Sequence, residues 1–347
     1  MDLTRFGWTA SLGDAYRALF PGFAPARVCE EHRGAYRLIS GDGEHLAGLS
    51  GRLRHDAAGR LDLPATGDWV ALTRHLGSRA VIEGILPRTT CIVRAAAGGA
   101  HAAQIVGANV DTMLVVTALD TDFNVRRLER YVALARASGV VPVIVLNKSD
   151  GCSDVASYVE VAHAAAPGVP IHPMSASLGE GMEALDGYLG AGQTLVVVGS
   201  SGVGKSTLIN ALAGNDELAT GDIRADGRGR HTTTSRSLIP LAGGAVLMDT
   251  PGMRELRLQS DEDALAGAFS DIEALAETCR FRDCTHRDEP GCQVRDTVDG
   301  PRLLNFRKLQ RETAFVERKG DRAKAALEKA RWKKIQRENR QRRLLED

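Results

Sequence analysis

Short apolar runs bounded by turn residues dominate the chain up to about Arg94. They cover residues 35–40, 44–50, 68–73 and 80–86. The first two flank Gly41, Asp42 and Gly43, which is typical of a β-hairpin. Several short strands with little helix predict a small barrel of either the OB or the SH3-like type. Barrels of this kind often bind RNA, and a role in packing or protein contact fits the strands equally well.

A different pattern begins near Val110. Continuous apolar runs at residues 112–118, 141–146, 171–174, 195–198 and 245–248 alternate with helical stretches at 124–138 and 157–166. Buried strands that alternate with helices predict a parallel sheet covered on both faces. The Ala- and Gly-rich residues 95–103 separate the two patterns and are interpreted as a linker. Beyond Arg254 the chain becomes helical and polar, and residues 320–347 have the pattern of a charged helix.

The composition is that of an ordinary folded protein. The 347 residues are 43% hydrophobic and 25% charged, and this length favours two or three domains. No apolar run is long enough to span a bilayer and no secretory signal is evident, so we expect a cytoplasmic protein without a membrane partner. Residues 302–347 contain 16 Lys or Arg against 7 Asp or Glu, whereas the whole chain has no net charge. A basic tail on an acidic body predicts a nucleic acid or another acidic partner.

A glycine-rich motif directly follows the apolar run 195–198 and precedes a helical pattern at 206–213. Its residues are Gly199, Ser200, Ser201, Gly202, Val203, Gly204, Lys205, Ser206 and Thr207. They match G-x-x-x-x-G-K-[ST], in which backbone N–H groups surround the phosphates of a nucleotide. Lys205 is expected to reach the β- and γ-phosphates, and the Ser206 hydroxyl to bind Mg²⁺. The strand before and the helix after the motif favour this interpretation over a purely structural turn.

The residues after the run 141–146 indicate which base is bound. They are Asn147, Lys148, Ser149 and Asp150. We expect the Asp150 carboxylate to accept hydrogen bonds from N1–H and the N2 amine of guanine, because adenine lacks both donors. Asn147 and Lys148 are expected to brace this loop. Ser175 and Ala176, after the next apolar strand, are expected to close over the guanine.

Residues 249–252, Asp-Thr-Pro-Gly, end another apolar run. We expect Asp249 to hold Mg²⁺ through water and the Gly252 N–H to meet the γ-phosphate, with a simple Pro-Gly turn as the alternative. The polar residues 221–237 lie between this motif and the glycine-rich loop. Among their threonines we favour Thr233 for completing the Mg²⁺ shell, with Thr232 as the alternative.

Met253 follows Gly252, where many GTPases place a glutamine that orients water. An apolar side chain does not orient water, so another group must do so. His231 has suitable chemistry and is the candidate, with a merely exposed loop histidine as the alternative.

Three of the six cysteines are clustered around a histidine. The pattern C-x4-C-x-H-x5-C consists of Cys279, Cys284, His286 and Cys292. Three thiolates and an imidazole form a closed four-coordinate set for Zn²⁺ with no position for water, so we interpret the site as structural. The metal replaces a core that so small a polar segment does not build. Unligated cysteines beside an unrelated histidine are the alternative.

The motifs occur in circularly permuted order. Regular GTPases place the phosphate loop before the N-K-x-D and S-A motifs, whereas here residues 147–150 and 175–176 precede residues 199–207. Such a permutation leaves the sheet intact, because the termini of a domain tend to lie close together at its surface.

With these motifs in this order, the chain resembles the ribosome small-subunit-dependent GTPase A family, RsgA, also called YjeQ. The resemblance implies an α/β fold: a circularly permuted P-loop G domain at 95–255, an N-terminal OB-like β-barrel at 1–94 and a C-terminal helical zinc-binding domain at 256–347. It implies one structural Zn²⁺ and a Mg²⁺ bound with GTP. It also implies a catalytic His231 and places the Mg²⁺-binding threonine among Thr232, Thr233 and Thr234.

The same resemblance implies hydrolysis of GTP to GDP and phosphate, stimulated by the small (30S) ribosomal subunit, and a role in late maturation of that subunit. The expected partners are GTP or GDP, the 30S subunit and its 16S rRNA, and the chain is expected to be monomeric. Two alternatives stay open. One is a GTP-switched rRNA-binding module in which hydrolysis is incidental, and the other is a permuted GTPase of another assembly step.

Overall fold

The computed structural model of the chain describes residues 1–32, 34–73, 79–94, 104–214, 237–249 and 269–311. Two compact units are present: Met1–Arg94 with Gln104–Arg257, and Ala95–Ala103 with Leu258–Asp347. The predicted linker at 95–103, the loop with His231 and Thr232 to Thr234, Gly252, and the charged helix at 320–347 lie outside the described residues. Within the described ranges, no helix has both the length and the apolar character needed to cross a lipid bilayer.

The described residues form thirteen strands and eight α-helical segments, seven of which are labelled here. The strands are β1 Ala24–His32, β2 Ala35–Ser40, β3 Gly43–Leu49, β4 Trp69–Thr73, β5 Ala80–Ile85, β6 Cys91–Arg94, β7 Gln104–Ala108, β8 Thr112–Ala118, β9 Val141–Asn147, β10 Ile171–Pro173, β11 Thr194–Val198, β12 Ser237–Pro240 and β13 Val246–Asp249. The helices are α1 Ala10–Leu19, α2 Gly51–Asp56, α3 Val125–Ala137, α4 Val155–Ala165, α5 Lys205–Ala213, α6 Ser270–Ala276 and α7 Gln293–Thr297. Residues 300–311 are also helical.

The first five strands close into a barrel in the order β1-β2-β3-β5-β4. Only β3 and β5 pair in parallel, and β1 closes the barrel by pairing with β4. A five-stranded Greek-key barrel of this order has OB topology, which decides between the two barrel types left open by the sequence. Its interior is filled by small and branched side chains such as Val28, Leu38, Val70 and Ile82, all fully buried.

Helix α1 packs beside the barrel and was not predicted from the sequence. The Thr9 hydroxyl caps it by accepting from the N–H of Leu12 at 3.3 Å. Tyr16 is buried in a cluster with Trp69 of β4. Trp8 joins this cluster and meets Trp69 edge-on, with ring centroids 4.7 Å apart. The helix therefore anchors the N-terminus to the barrel.

The second layer of the first unit is a six-stranded sheet in the order β10-β9-β8-β11-β13-β12. Five neighbouring strands are parallel, as predicted, and α3 packs on β8 and β9. The edge strand β12 runs antiparallel to β13, which the sequence did not predict. A tight turn explains the direction, because Leu241 and Ala245 close the connection with a 2.8 Å backbone hydrogen bond.

Barrel and sheet meet at Arg27, a fully buried side chain of β1. Its Nε donates to the carbonyl of Gly67 at 3.3 Å, and Nη1 donates to the carbonyl of Phe6. Its Nη2 donates to the hydroxyl of Thr194, where β11 begins. The guanidinium is thus held by polar groups from both layers, which is how a buried cation is tolerated.

The second unit is helical in its described part. Phe269 and Phe306 are buried with ring centroids 5.3 Å apart, and Ile272 and Leu309 are fully buried as well. The predicted helical character of this region is confirmed.

Candidate nucleotide and metal sites

The glycine-rich loop runs from the end of β11 to the start of α5. Gly199 has φ 149°, and a Cβ there would lie 2.2 Å from the carbonyl oxygen of Val116 on β8. Gly204 has φ 94°, and a Cβ there would lie 2.2 Å from Nδ2 of Asn147. Glycine is therefore required at both positions, because any side chain would push the loop away from its neighbours.

Lys205 is the first residue of α5, and its Nζ donates to the carbonyl oxygen of Ser200. Ser206 and Thr207 follow in the first turn of this nine-residue helix. The free N–H groups of a helix N-terminus and an adjacent ammonium attract an anion. The loop and α5 thus form a candidate phosphate site at the carboxyl end of β11.

Asn147 joins the glycine-rich loop to the two loops predicted to hold the base. It ends β9 and is buried. Its Nδ2 donates to the carbonyl of Val203 at 2.8 Å, and its Oδ1 accepts from the N–H of Ala176 at 3.0 Å. One amide therefore uses both its donor and its acceptor to fix two loops, as expected for a bracing residue.

The segment after Asn147 turns sharply at Lys148, which has φ 62°. Ser149–Gly151 then forms a single turn of 3-10 helix, with Asp150 exposed in its middle. The N–H of Ser149 donates to the carbonyl of Met174 at 3.1 Å, which ties this turn to the end of β10. An exposed carboxylate on a fixed turn is available to a ligand.

Lys148 pairs with Asp120, a residue that the sequence did not single out. Its Nζ lies 3.0 Å from Oδ2 of Asp120. The backbone N–H of Asp122 donates to Oδ1 of Asp120 at 2.8 Å. This hydrogen bond, together with Lys148, holds the pKa of Asp120 below its usual value. Asp120 lies two residues after the end of β8, so its contact with Lys148, just after β9, arises from strand order and not from a local motif.

Ser175 and Ala176 form the third loop, after β10. Ser175 is fully buried, and its N–H donates to the carbonyl of Glu180 at 2.9 Å. The three loops lie along one edge of the sheet, because the parallel strands β10, β9 and β11 all end there. Asp249, which ends β13, is the last described residue before Thr250. The structure thus brings together the predicted residues at 147–150, 175–176 and 199–207, whereas Gly252, Thr233 and His231 lie outside the described residues.

The Cys₃His group in the second unit is also assembled. Cys279, Cys284, His286 and Cys292 each offer one ligand atom, and these atoms all lie within 4.8 Å of one another. The sulfurs of Cys279 and Cys292 are 4.0 Å apart and lie 3.6 and 3.5 Å from Nδ1 of His286. Tetrahedral zinc with bonds of about 2.3 Å to sulfur and about 2.0 Å to nitrogen spaces such atoms about 3.8 and 3.6 Å apart. The group therefore fits a zinc ion.

The pKa values of two of the thiols are shifted in opposite directions. Burial alone would raise the pKa of Cys279, but the N–H groups of Val294 and Gln293 donate to its sulfur and the net shift is downward. Desolvation and the neighbouring sulfurs raise the pKa of Cys284 to about 11, because they oppose a second thiolate. A dication removes that repulsion, since metal ligation and thiol deprotonation are coupled.

The loop that presents His286 is held by Glu289. The Glu289 carboxylate accepts from the N–H of Thr285 at 2.9 Å and from the N–H of Arg287 at 2.8 Å. His286 itself has φ 58°, a conformation that a residue without such support rarely adopts. Glu289 is therefore part of the site, although the cysteine spacing gave no signal for it.

Comparison with known proteins decides the family. A sequence model of the RsgA GTPase family matches residues 85–259. A protein of Opitutus terrae named small ribosomal subunit biogenesis GTPase RsgA is 46% identical over 352 residues, with 96% of each chain covered. This chain belongs to the RsgA GTPase family. A Lactiplantibacillus plantarum protein named small ribosomal subunit biogenesis GTPase RsgA 2 is 47% identical over 321 residues. The alignment covers 91% of this RsgA-family chain and 90% of the relative.

Solved structures agree with the RsgA assignment. The crystal structure of YjeQ from Thermotoga maritima has a TM-score of 0.62 and 26% identity, and covers 84% of this chain and 98% of its own. YloQ, described as a circularly permuted GTPase, has a TM-score of 0.57 at 20% identity and supports the same fold. An ABC transporter sequence model also matches residues 182–343, a range that includes the phosphate loop shared by P-loop proteins.

The RsgA assignment confirms three of the predictions made above. The fold is a circularly permuted P-loop G domain with an OB-like barrel and a C-terminal helical unit that contains the Cys₃His group. The chain is a GTP hydrolase. Its family is the one that the order of the motifs suggested.

Proposed function

We propose that the three loops at the carboxyl edge of the sheet bind a guanine nucleotide. The main support for this proposal is the pair of hydrogen bonds that Asn147 makes with Val203 and Ala176. They fix the phosphate loop and the base loops relative to one another. Asp150 recognises guanine, Lys205 neutralises the β- and γ-phosphates, and the backbone N–H groups of residues 199–207 surround them.

The catalytic step also uses Thr233, Gly252 and His231, which lie outside the described ranges. Ser206 and Thr233 bind the Mg²⁺ that accompanies GTP, and Asp249 holds it through water. Gly252 senses the γ-phosphate. His231 orients the attacking water, because Met253 occupies the position at which other GTPases use glutamine.

The partner of this GTPase is the small ribosomal subunit, and its role is in late maturation of that subunit. The relatives that cover nearly the whole chain are named small ribosomal subunit biogenesis GTPases, which supports this assignment. An OB barrel and a basic tail are suited to binding rRNA. The protein acts in the cytoplasm as a monomer, with 16S rRNA as its contact.

The Cys₃His group holds one structural Zn²⁺. Cys279, Cys284, His286 and Cys292 would supply all four ligands of a tetrahedral ion, so the metal would stabilise the fold and take no part in hydrolysis. The domain limits that we propose are 1–94 for the barrel, 95–255 for the G domain and 256–347 for the zinc-binding domain.

GTP turnover measured with and without purified 30S subunits tests the proposed function. We expect slow turnover by the protein alone and a clear increase as subunits are added. Binding to the subunit without an increase in turnover would favour the GTP-switched rRNA-binding module. Stimulation by large subunits in place of small ones would favour a GTPase of another assembly step.

Two variants test the roles of single residues. Asp150→Asn should lose preference for guanosine over xanthosine nucleotides, since an amide presents a donor to the base. His231→Ala should lower turnover at saturating GTP by about 10²–10⁴-fold and leave GTP affinity nearly intact. Unchanged turnover in the second variant would show that a different group orients the water.

A further inference from the structure

Ser200, the second residue of the phosphate loop, is held from outside the loop by two charged side chains. Its hydroxyl donates to the Asp122 carboxylate and accepts from Nη1 of Arg127. The same Nη1 lies 2.7 Å from Oδ2 of Asp122. About a third of each charged side chain is exposed, so this triangle is only partly screened by water.

Both charged residues are fixed by the segment between β8 and α3. Asn124 caps α3, and its side chain accepts from the N–H of Arg127 at 3.1 Å. The Asp120 carboxylate accepts from the N–H of Asp122 at 2.8 Å. Arg127 and Asp122 are therefore ordered by the sheet and by α3, independently of the phosphate loop that they hold.

The carbonyl oxygen of Ser200 has a second contact, with Nζ of Lys205. The orientation of this residue is thus fixed at both its side chain and its backbone. Gly199, Gly202 and Gly204 all have positive φ, and residues without Cβ give a loop little stiffness of its own. The contacts of Ser200 with Asp122 and Arg127 therefore order both the loop and Lys205, which donates to the Ser200 carbonyl.

We propose that Asp122 and Arg127 are positioning residues that hold the phosphate loop in its binding conformation through Ser200. This inference rests on the nucleotide site proposed above. A loop that is already ordered loses less conformational freedom when it binds, so affinity rises. Both GDP and GTP contain the diphosphate, so both gain equally, and the preference for guanine does not depend on the pair.

The test uses full-length protein and a fluorescent GDP analogue, with GTP measured by competition. Arg127→Ala, Asp122→Asn and Ser200→Ala should each weaken the binding of GDP and the binding of GTP equally, by about 5- to 30-fold, because each removes or weakens a charge-assisted hydrogen bond to the loop and Ser200→Ala removes two. Arg126→Ala is the matched control, because Arg126 is the exposed neighbour of Arg127 on α3 and its removal should change affinity less than about twofold.

Two further measurements separate positioning from general stability. The double variant Arg127→Ala/Ser200→Ala should bind about as weakly as Ser200→Ala alone, because Ser200→Ala already removes the contact with Arg127. Arg127→Lys keeps the charge without the planar guanidinium and should recover part of the affinity. Thermal unfolding of each variant without nucleotide reports whether the fold is intact.

Wild-type affinity in Ser200→Ala and Arg127→Ala would overturn the inference. Lower turnover with unchanged GDP affinity would also overturn it, because Arg127 would then act in hydrolysis. The inference would likewise be overturned if, across all variants, the loss of nucleotide affinity were proportional to the loss of thermal stability. Failure of the wild type to bind any guanine nucleotide would instead contradict the proposed function itself.

Discussion

Nη2 of Arg27 in the barrel lies 2.9 Å from the hydroxyl of Thr194, the residue at which β11 begins. β11 leads directly into the phosphate loop, so a buried cation links the barrel to the strand that carries the nucleotide site. Burial lowers the pKa of Arg27 to about 10, and nearby carboxylates such as Asp111 limit the shift. The side chain is therefore charged at neutral pH.

We predict that Arg27→Ala lowers the free energy of unfolding by about 3 kcal/mol or more. The variant leaves the buried carbonyl of Phe6 without its donor, which is destabilising, and removes one of the two donors to the carbonyl of Gly67, the other being Nδ2 of Asn109. Urea unfolding followed by circular dichroism measures the loss. Arg37→Ala is the control, because half of the Arg37 side chain is exposed and its pairing with Glu30 contributes at most about 1 kcal/mol. Equal losses would contradict a special role for Arg27.

Asn147→Ala should raise the dissociation constant for GDP at least about tenfold. The carbonyl of Val203 and the N–H of Ala176 both lose their partner, so the phosphate loop and the 175–176 loop separate. Calorimetric titration with GDP measures the effect. In Ser177→Ala the change should be within about twofold, because that exposed hydroxyl contacts only the neighbouring Ser175 among the bonds described for it.

Metal removal should affect the second unit. Purified protein is expected to contain one zinc per chain, and a strong chelator should remove it with loss of helical signal. Cys284→Ser should lower the zinc content, whereas Cys152→Ser should retain it because Cys152 lies outside the cluster. Elemental analysis of the wild type decides the matter, and a metal-free, fully folded protein would exclude a structural zinc.

Acidification should destabilise the first unit partly through His172. Burial lowers the pKa of His172, whose Nε2 lies 3.2 Å from the hydroxyl of Tyr188. The unfolded chain then binds the proton at a higher pH than the folded protein. The contribution to stability is present above about pH 6.5 and is lost as the pH falls through the folded pKa.

Urea midpoints at about pH 7.5 and about pH 5 measure this contribution. His172→Gln should lose less stability than the wild type between the two conditions. His55→Gln serves as the control, because His55 is almost fully exposed and its replacement should leave the pH dependence of the wild type unchanged. A His172→Gln variant with the same pH dependence as the wild type would contradict the assignment.

The barrel strands with clear alternation were predicted from sequence, whereas α1 and β1 were not. In β1, Arg27 and Glu30 are buried polar residues that interrupt the apolar pattern. Arg27 is held by Gly67 and by Thr194, which lie far along the chain, and Glu30 pairs with Arg37 of the neighbouring strand, so the apolar pattern alone does not reveal their burial. For α1 a signal existed, since Thr9 precedes Leu12 and Tyr16 at helical spacing. The helix was not predicted because this signal lies in a region where the other patterns indicate strands.

In the nucleotide site, the residues within motifs were identified and those between motifs were not. Asn147 and Lys205 belong to short patterns whose chemistry is fixed by spacing. Asp122 and Arg127 contact Ser200 only because β8 lies beside β11, which is a consequence of strand order. Contacts set by topology leave no periodic or local trace, so a single sequence does not predict them.

The position of β11 between β8 and β13 also bears on how the protein is made. The strands that carry the base loops, β9 and β10, precede β11 in the chain and therefore leave the translating ribosome before it, together with β8, the partner of β9. A nascent chain at that stage contains the residues of the base loops but not the phosphate loop or α5. Tight capture of the nucleotide thus begins only when the centre of the sheet has been filled, and the ligand preferentially stabilises chains that have passed this point.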